Sequence, residues 1–228
     1  MLISLDSGRA LESPDTAIIC PELTVCITGH REKSIIPYKD DPANLHMTRS
    51  AVRLMLYKYI EMAIEKGFTD FFSGLAEGTD LWAAEYVLMK RQKNKDIRLI
   101  GVMPFLKHSR FFNSDTRSLL RNVENNADCV ILINSDPDIA YGKTRGFGKS
   151  PDLYRDRNYF MVDNSSAVLA FLDSGSPRSG TGQTVNYALK QGRKVRSFGL
   201  SDVYGIMEEA DMDWKKICSL IREKENLF

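Results

Sequence analysis

Short apolar runs alternate along the chain with longer stretches in which apolar residues recur every three or four positions. That pattern predicts buried strands separated by amphipathic helices. The runs predicted as strands are Leu23–Thr28, Asp70–Ser73, Arg98–Met103, Cys129–Asn134, Ala167–Leu172 and Lys194–Phe198. Several are apolar almost throughout, as strands are when both sheet faces are covered. Between the first two, Leu45–Lys66 carries Val52, Leu56, Tyr59, Ile60, Ala63 and Ile64 at helical spacing, and Gly67 ends it. Further helices are expected at Thr79–Arg91, Asp115–Asn126, Arg155–Asn164 and Thr181–Gln191, with a last one over about Val203–Glu225. The fold class implied is α/β: a doubly wound, mainly parallel sheet of about six strands with helices on both faces.

The alternation has one interruption. Ser135–Tyr154 contains Pro137, Gly142, Gly146, Gly148 and Pro151 together with Lys143, Arg145 and Lys149. A loop of that length inside a domain is either a functional lid or a mobile connection, and the sequence leaves both open. With 228 residues the chain suffices for one core, so residues 1–22 are expected as an N-terminal extension and 23–228 as a single domain.

Charge narrows the partners. Lys plus Arg number 31 and Asp plus Glu 30, so the overall field recruits neither nucleic acid nor an anionic membrane. The first residues, with Asp6, Arg9, Glu12 and Asp15, lack a signal-peptide pattern, and no run is long enough to span a bilayer. Cys20, Cys26, Cys129 and Cys218 form no CxxC pair and have no histidine at zinc-ligand spacing. The expectation is a reduced, cytoplasmic protein with no metal site and no implied cofactor.

In a parallel sheet the ligand lies beyond the carboxyl ends of the strands, so the chemistry is sought just after each run. Thr28-Gly29-His30-Arg31 follows the first, with a guanidinium fork suited to a phosphate or carboxylate. The second leads into Gly74-Leu75-Ala76-Glu77-Gly78-Thr79-Asp80, where Asp80 either favours a helix start or binds ribose hydroxyls. After the fifth run comes Ser179-Gly180-Thr181-Gly182-Gln183-Thr184, a glycine-rich turn into a helix, where free N–H groups and the helix dipole favour an anion. No P-loop lysine follows it. Arg155, Arg157 and Asn158 are expected to open the preceding helix, facing either ligand or water.

At these residues the chain resembles the YpsA-like branch of the SLOG superfamily, the Rossmann-like relatives of DprA and of the LOG phosphoribohydrolases. The resemblance rests on Ile27-Thr28-Gly29-His30-Arg31, on Phe72 through Glu85, and on Arg157-Asn158-Tyr159-Phe160-Met161-Val162-Asp163 continuing to Gly192. It implies a Rossmann-like core holding a nucleotide or nucleotide-derived molecule, as a sensor or binding module. The residues expected to hold it are Gly29, His30, Arg31, Gly74, Gly78, Asp80, Arg157, Asn158, Gly180, Thr181, Gly182, Gln183 and Thr184.

Two alternatives accompany that reading. LOG enzymes cleave a nucleotide's glycosidic bond and carry a glutamate where this chain has Asn186; an amide cannot serve as a carboxylate base. Hydrolysis of a glycosidic or phosphate bond would fall to Glu77, Asp80 or Glu85. The second alternative, DprA-like binding of single-stranded DNA, matches Ser73-Gly74-Leu75-Ala76 and its continuation, but the balanced charge argues against a nucleic-acid partner. Self-association is left open, since apolar positions from Ile206 to Leu220 serve either an interface or the core.

Overall fold

The computed structural model describes residues 2–136, 151–173 and 179–225. Six strands form one sheet: β1 (Thr24–Gly29), β2 (Asp70–Ser73), β3 (Arg98–Met103), β4 (Cys129–Leu132), β5 (Ala167–Phe171) and β6 (Lys194–Phe198). Their order is β4-β3-β2-β1-β5-β6, and every neighbouring pair is parallel. The helices are α1 (Leu45–Glu65), α2 (Thr79–Lys93), α3 (Ser114–Asn126), α4 (Pro151–Asp163), α5 (Gly180–Lys190), α6 (Leu200–Glu209) and α7 (Trp214–Arg222). The chain leaves β1 in one direction as far as β4, then returns to the other side of β1 as β5. A topological switch point therefore lies between β1 and β5, where the crevice beyond the strand ends is open.

Alternation along the strands divides the core into two layers. Val25, Ile27, Phe71, Leu99 and Leu169 point to the face covered by α1, α2, α3, α6 and α7. Cys26, Phe72, Ile100, Ile131 and Val168 point to the other, where Met161 and Val162 of α4 and Ala188 of α5 cover them. The two strand cysteines, Cys26 and Cys129, are buried and unpaired. Desolvation raises both thiol pKa values, as expected of cysteines acting as small apolar groups.

The N-terminal segment lies along the β4 edge. Glu12 forms a parallel bridge with Ile131, its N–H donating to Val130 and its carbonyl accepting from Leu132. Arg9 donates to the carbonyls of Glu124, Ala127 and Asp128 where α3 gives way to β4, satisfying groups that a helix end leaves unpaired.

Two expectations are corrected. The single helix over Val203–Glu225 is two helices, α6 and α7, because Asp211 (φ 49°) and Met212 (φ 60°) take left-handed conformations and Asp213 caps α7 by accepting from Lys215 and Lys216 N–H. The fourth helix starts at Pro151, not Arg155, since proline's fixed φ suits a first helical turn. Most of the expected loop at Ser135–Tyr154 lies outside the described residues, and its last four belong to α4. Among the described residues no helix is long and apolar enough to cross a membrane.

Candidate functional site

Three loops and α4 meet at the β1–β5 switch point. They enclose a cleft of about 240 Å³ lined by Thr28, Gly29, His30, Arg31, Ser34, Ala76, Asp80, Tyr154, Arg157, Asn158, Ser179, Gly180 and Thr181. A second hollow of about 340 Å³ shares Tyr154, Asn158 and Gly180 with it and adds Arg155, Tyr159, Gln183 and Thr184. Of the thirteen residues expected to hold a nucleotide, Gly29, His30, Arg31, Asp80, Arg157, Asn158, Gly180 and Thr181 line the first cleft. Gln183 and Thr184 line only the second.

The remaining glycines support these walls from behind. Gly74 lies against the Asp80–Arg157 pair: a Cβ there would overlap the guanidinium and stand 2.6 Å from Asp80 Oδ2. Gly78 has φ +89°, and a Cβ on it would meet backbone at 2.7 Å from Glu32 N and 2.9 Å from Arg31 Cα. Both conditions restrict the position to glycine. It lets the β2–α2 loop press against the β1 loop, where Thr79 Oγ1 donates to the His30 carbonyl at 2.8 Å. Gly182 is buried in α5's first turn, its N–H donating to Ser179 Oγ at 3.1 Å.

Asp80 and Arg157 form a buried ion pair, Oδ2 to Nη1 at 3.4 Å, with each side chain less than a tenth exposed. Burial raises the Asp80 pKa, opposed by Arg157, the Ala76 N–H and Arg31. Desolvation thus outweighs the attraction across a 3.4 Å gap. Two buried nitrogens in the same wall, His30 Nε2 and Arg157 Nε, have no hydrogen-bond partner among the described residues. Burial lowers the His30 pKa, partly offset by Asp173, so its imidazole stays neutral near pH 7. Its ring meets Phe171 edge-on at 5.8 Å.

Arg157 and Asn158 do not open a helix; they lie in its second turn. Arg155 pairs with Asp152 at 2.8 Å and Asp156 at 3.5 Å. The Thr184 hydroxyl donates to Gly180 O and accepts from Asn158 Nδ2 at 2.9 Å, which ties α4 to α5. Ser179 caps α5 by taking the Gly182 N–H, so the first-turn donors of Gly180 and Thr181 border the cleft.

The carboxylates separate. Asp80 borders the cleft, whereas Glu77 is in neither hollow and Glu85 lies exposed on α2, paired with Arg53 at 3.2 Å. Asn186 is exposed on α5 and also lies outside both hollows. Among the described residues no group of three His, Cys, Asp or Glu is arranged to hold a metal ion. Ser34, Tyr154 and Tyr159 were not singled out from sequence. A helix start placed at Pro151 would have put Tyr154 and Asn158 on one face, four residues apart.

A family model described as YpsA, the YspA SLOG family, matches residues 25–201. The chain belongs to this family. Relatives described as UPF0398 proteins, from Bacillus thuringiensis (strain Al Hakam) and Bacillus cereus (strain AH187), are each 25% identical over 190 residues, covering 81% of this chain and 95% of theirs. Among solved structures, DNA processing protein A (DprA) from Streptococcus pneumoniae aligns at 15% identity with a TM-score of 0.48, over 89% of this chain and 62% of that one. The matched segment of the family model runs from β1 to the start of α6 and so includes every loop of the cleft.

Proposed function

We infer that this SLOG-family chain binds a nucleotide or nucleotide-derived molecule at the β1–β5 switch point and serves as a sensor or binding module. The observation that carries the reading is the pair of unpartnered buried nitrogens, His30 Nε2 and Arg157 Nε, in the cleft wall. A buried polar group left unpaired costs about 1–3 kcal/mol. A polar, anionic ligand would supply an acceptor for Arg157 Nε and a partner for His30 Nε2, with Arg31 and the N–H groups of Gly180 and Thr181 around its charge. Asp80, held by Arg157, stands where ribose hydroxyls would be accepted. Four unpaired cysteines support a cytoplasmic setting.

Thermal denaturation with a panel of nucleoside monophosphates, cyclic nucleotides and ADP-ribose tests this. A ligand at 100 times its Kd stabilises by about 2.7 kcal/mol. The expected result is a shift with at least one compound that disappears in Arg31→Ala, whose side chain is exposed and whose loss leaves the fold alone. No shift anywhere, or an identical shift in the variant, would overturn the reading.

The hydrolytic alternative keeps one of its three carboxylates at the cleft, Asp80, and that one is committed to Arg157. Incubation with AMP should therefore leave free adenine and ribose 5-phosphate at the level of a protein-free control.

A further inference from the structure

The two joined hollows differ in charge. The first holds Arg31 and Arg157 against the single carboxylate of Asp80, together with His30. The second has one charged side chain, Arg155, and both its flanking aspartates, Asp152 and Asp156, neutralise it. The rest of its lining is uncharged: Tyr154 and Tyr159 offer planar rings and Gln183 a side-chain amide, beside Asn158, Gly180 and Thr184.

Both rings are held in place before any ligand arrives. Tyr154 meets Phe105 edge-on at 5.5 Å. Tyr159 stacks on Tyr187 with centroids 3.8 Å apart and planes at 12°, and Tyr187 Oη is fixed by donating to Asp163 Oδ1 at 2.8 Å. Fixed aromatic walls take up a flat ring with little loss of side-chain freedom. Gln183, exposed on the first turn of α5, carries both a donor and an acceptor, the pairing needed at the edge of a nitrogen heterocycle.

We propose that the hollow between α4 and α5 is a nucleobase subsite, with Tyr154 and Tyr159 as its walls and Gln183 reading the edge of the base. The ligand then lies across the α5 N-terminus, its anionic end toward Arg31 and Arg157 and its base toward Gln183. This rests on the nucleotide-binding reading above and adds to it an orientation and a specificity-determining residue.

Calorimetric titration of the full chain with ribose 5-phosphate and with AMP, GMP, CMP and UMP separates the two ideas. At least one nucleotide should bind about tenfold more tightly than ribose 5-phosphate, the contribution of one stacked and hydrogen-bonded base. Gln183→Ala and Tyr159→Ala should each remove most of that gain without changing ribose 5-phosphate binding, while Tyr159→Phe retains it. The exposed Gln183 position keeps the test valid should Tyr159→Ala fold poorly. If the nucleotides bind no more tightly than ribose 5-phosphate, or the gain survives both variants, the subsite is overturned and the nucleotide-binding reading stands. If nothing binds, including ribose 5-phosphate, the subsite is overturned, and the nucleotide-binding reading falls with it when the cyclic nucleotides and ADP-ribose of the thermal panel are silent too.

Discussion

A concavity of about 730 Å³ on the α1–α2–α3 side of the molecule is three times the volume of the cleft at the β1–β5 switch point, yet most of its charged and aromatic side chains are paired with one another or with neighbours. Arg53 donates to Tyr57 Oη and pairs with Glu85; Arg91 pairs with Asp128; Tyr57 and Tyr86 stack on each other at 3.9 Å. Tyr86 also donates to Glu61, which Lys90 binds as well. In the smaller cleft an ion pair is buried at 3.4 Å and two nitrogens have no partner among the described residues. Volume measures how loosely helices pack. A buried polar group without a partner costs stability wherever it lies, and the cleft is set apart by combining two such nitrogens with a buried ion pair at the strand ends.

The contrast can be broken most directly at the ion pair. Arg157→Ala leaves Asp80 buried and uncompensated and should cost about 3–5 kcal/mol in urea unfolding, whereas Asp80→Leu combined with Arg157→Met should cost much less. A loss below about 1 kcal/mol for the single variant would mean that the pair is more solvated than its burial implies. Gly78→Ala, which forces a Cβ into backbone at positive φ, should cost about 1–3 kcal/mol. It should also lower ligand affinity by displacing the Arg31 backbone. Stability unchanged within about 0.5 kcal/mol would contradict the close approach of the two loops.

Acid sharpens the comparison from behind the cleft. Burial, assisted by the Arg157 charge, pushes the His108 pKa down to about 3 from its ordinary 6.5. Between those values the unfolded chain takes up a proton that the folded chain refuses, so stability falls as pH drops below about 6.5. The slope approaches 1.4 kcal/mol per pH unit. Asp80 and Glu124, whose pKa values burial raises, act in the opposite sense, because the folded state binds their protons more readily. The difference in slope between the wild type and His108→Phe isolates the histidine, and parallel slopes would refute its burial as a neutral ring. At the larger concavity, Glu85→Ala should change stability by less than about 0.5 kcal/mol, because both partners of its salt bridge are over a third exposed. It should also leave any ligand-induced shift intact; loss of that shift would move the site to α2's outer face.

How far the sequence carried differs between elements. The four strands β1, β3, β4 and β5 were legible as nearly continuous buried apolar runs. By contrast, β2 is only four residues long and the edge strand β6 (Lys194–Phe198) is largely exposed or half-buried, and each was legible from its place in the alternation with helices. Their ends differ by one or two residues, as at Asn134 and Leu172, which follow β4 and β5. The split between α6 and α7 was missed because Asp211 and Met212 hold left-handed conformations without a glycine to signal them. Locating α4's start at Arg155 missed Tyr154, and with it the aromatic wall shared by the two hollows. Of the candidate carboxylates, Glu85 has the right residue type on the wrong side of a helix, a distinction that its position in the motif does not encode.

The order of apolar runs determined the α/β class, and the motifs Ile27–Arg31, Phe72–Glu85 and Arg157–Gly192 carried the resemblance to the SLOG family, since periodicity and motif order are properties of the chain itself. Tertiary structure alone decided which charges are paired. Arg155 and Arg157 are two residues apart, yet one turns outward to Asp152 and Asp156 while the other is buried against Asp80, 77 positions away in the chain. Desolvation and partnership depend on what the fold brings within a few ångströms, and those two quantities give otherwise equivalent residues different chemistry.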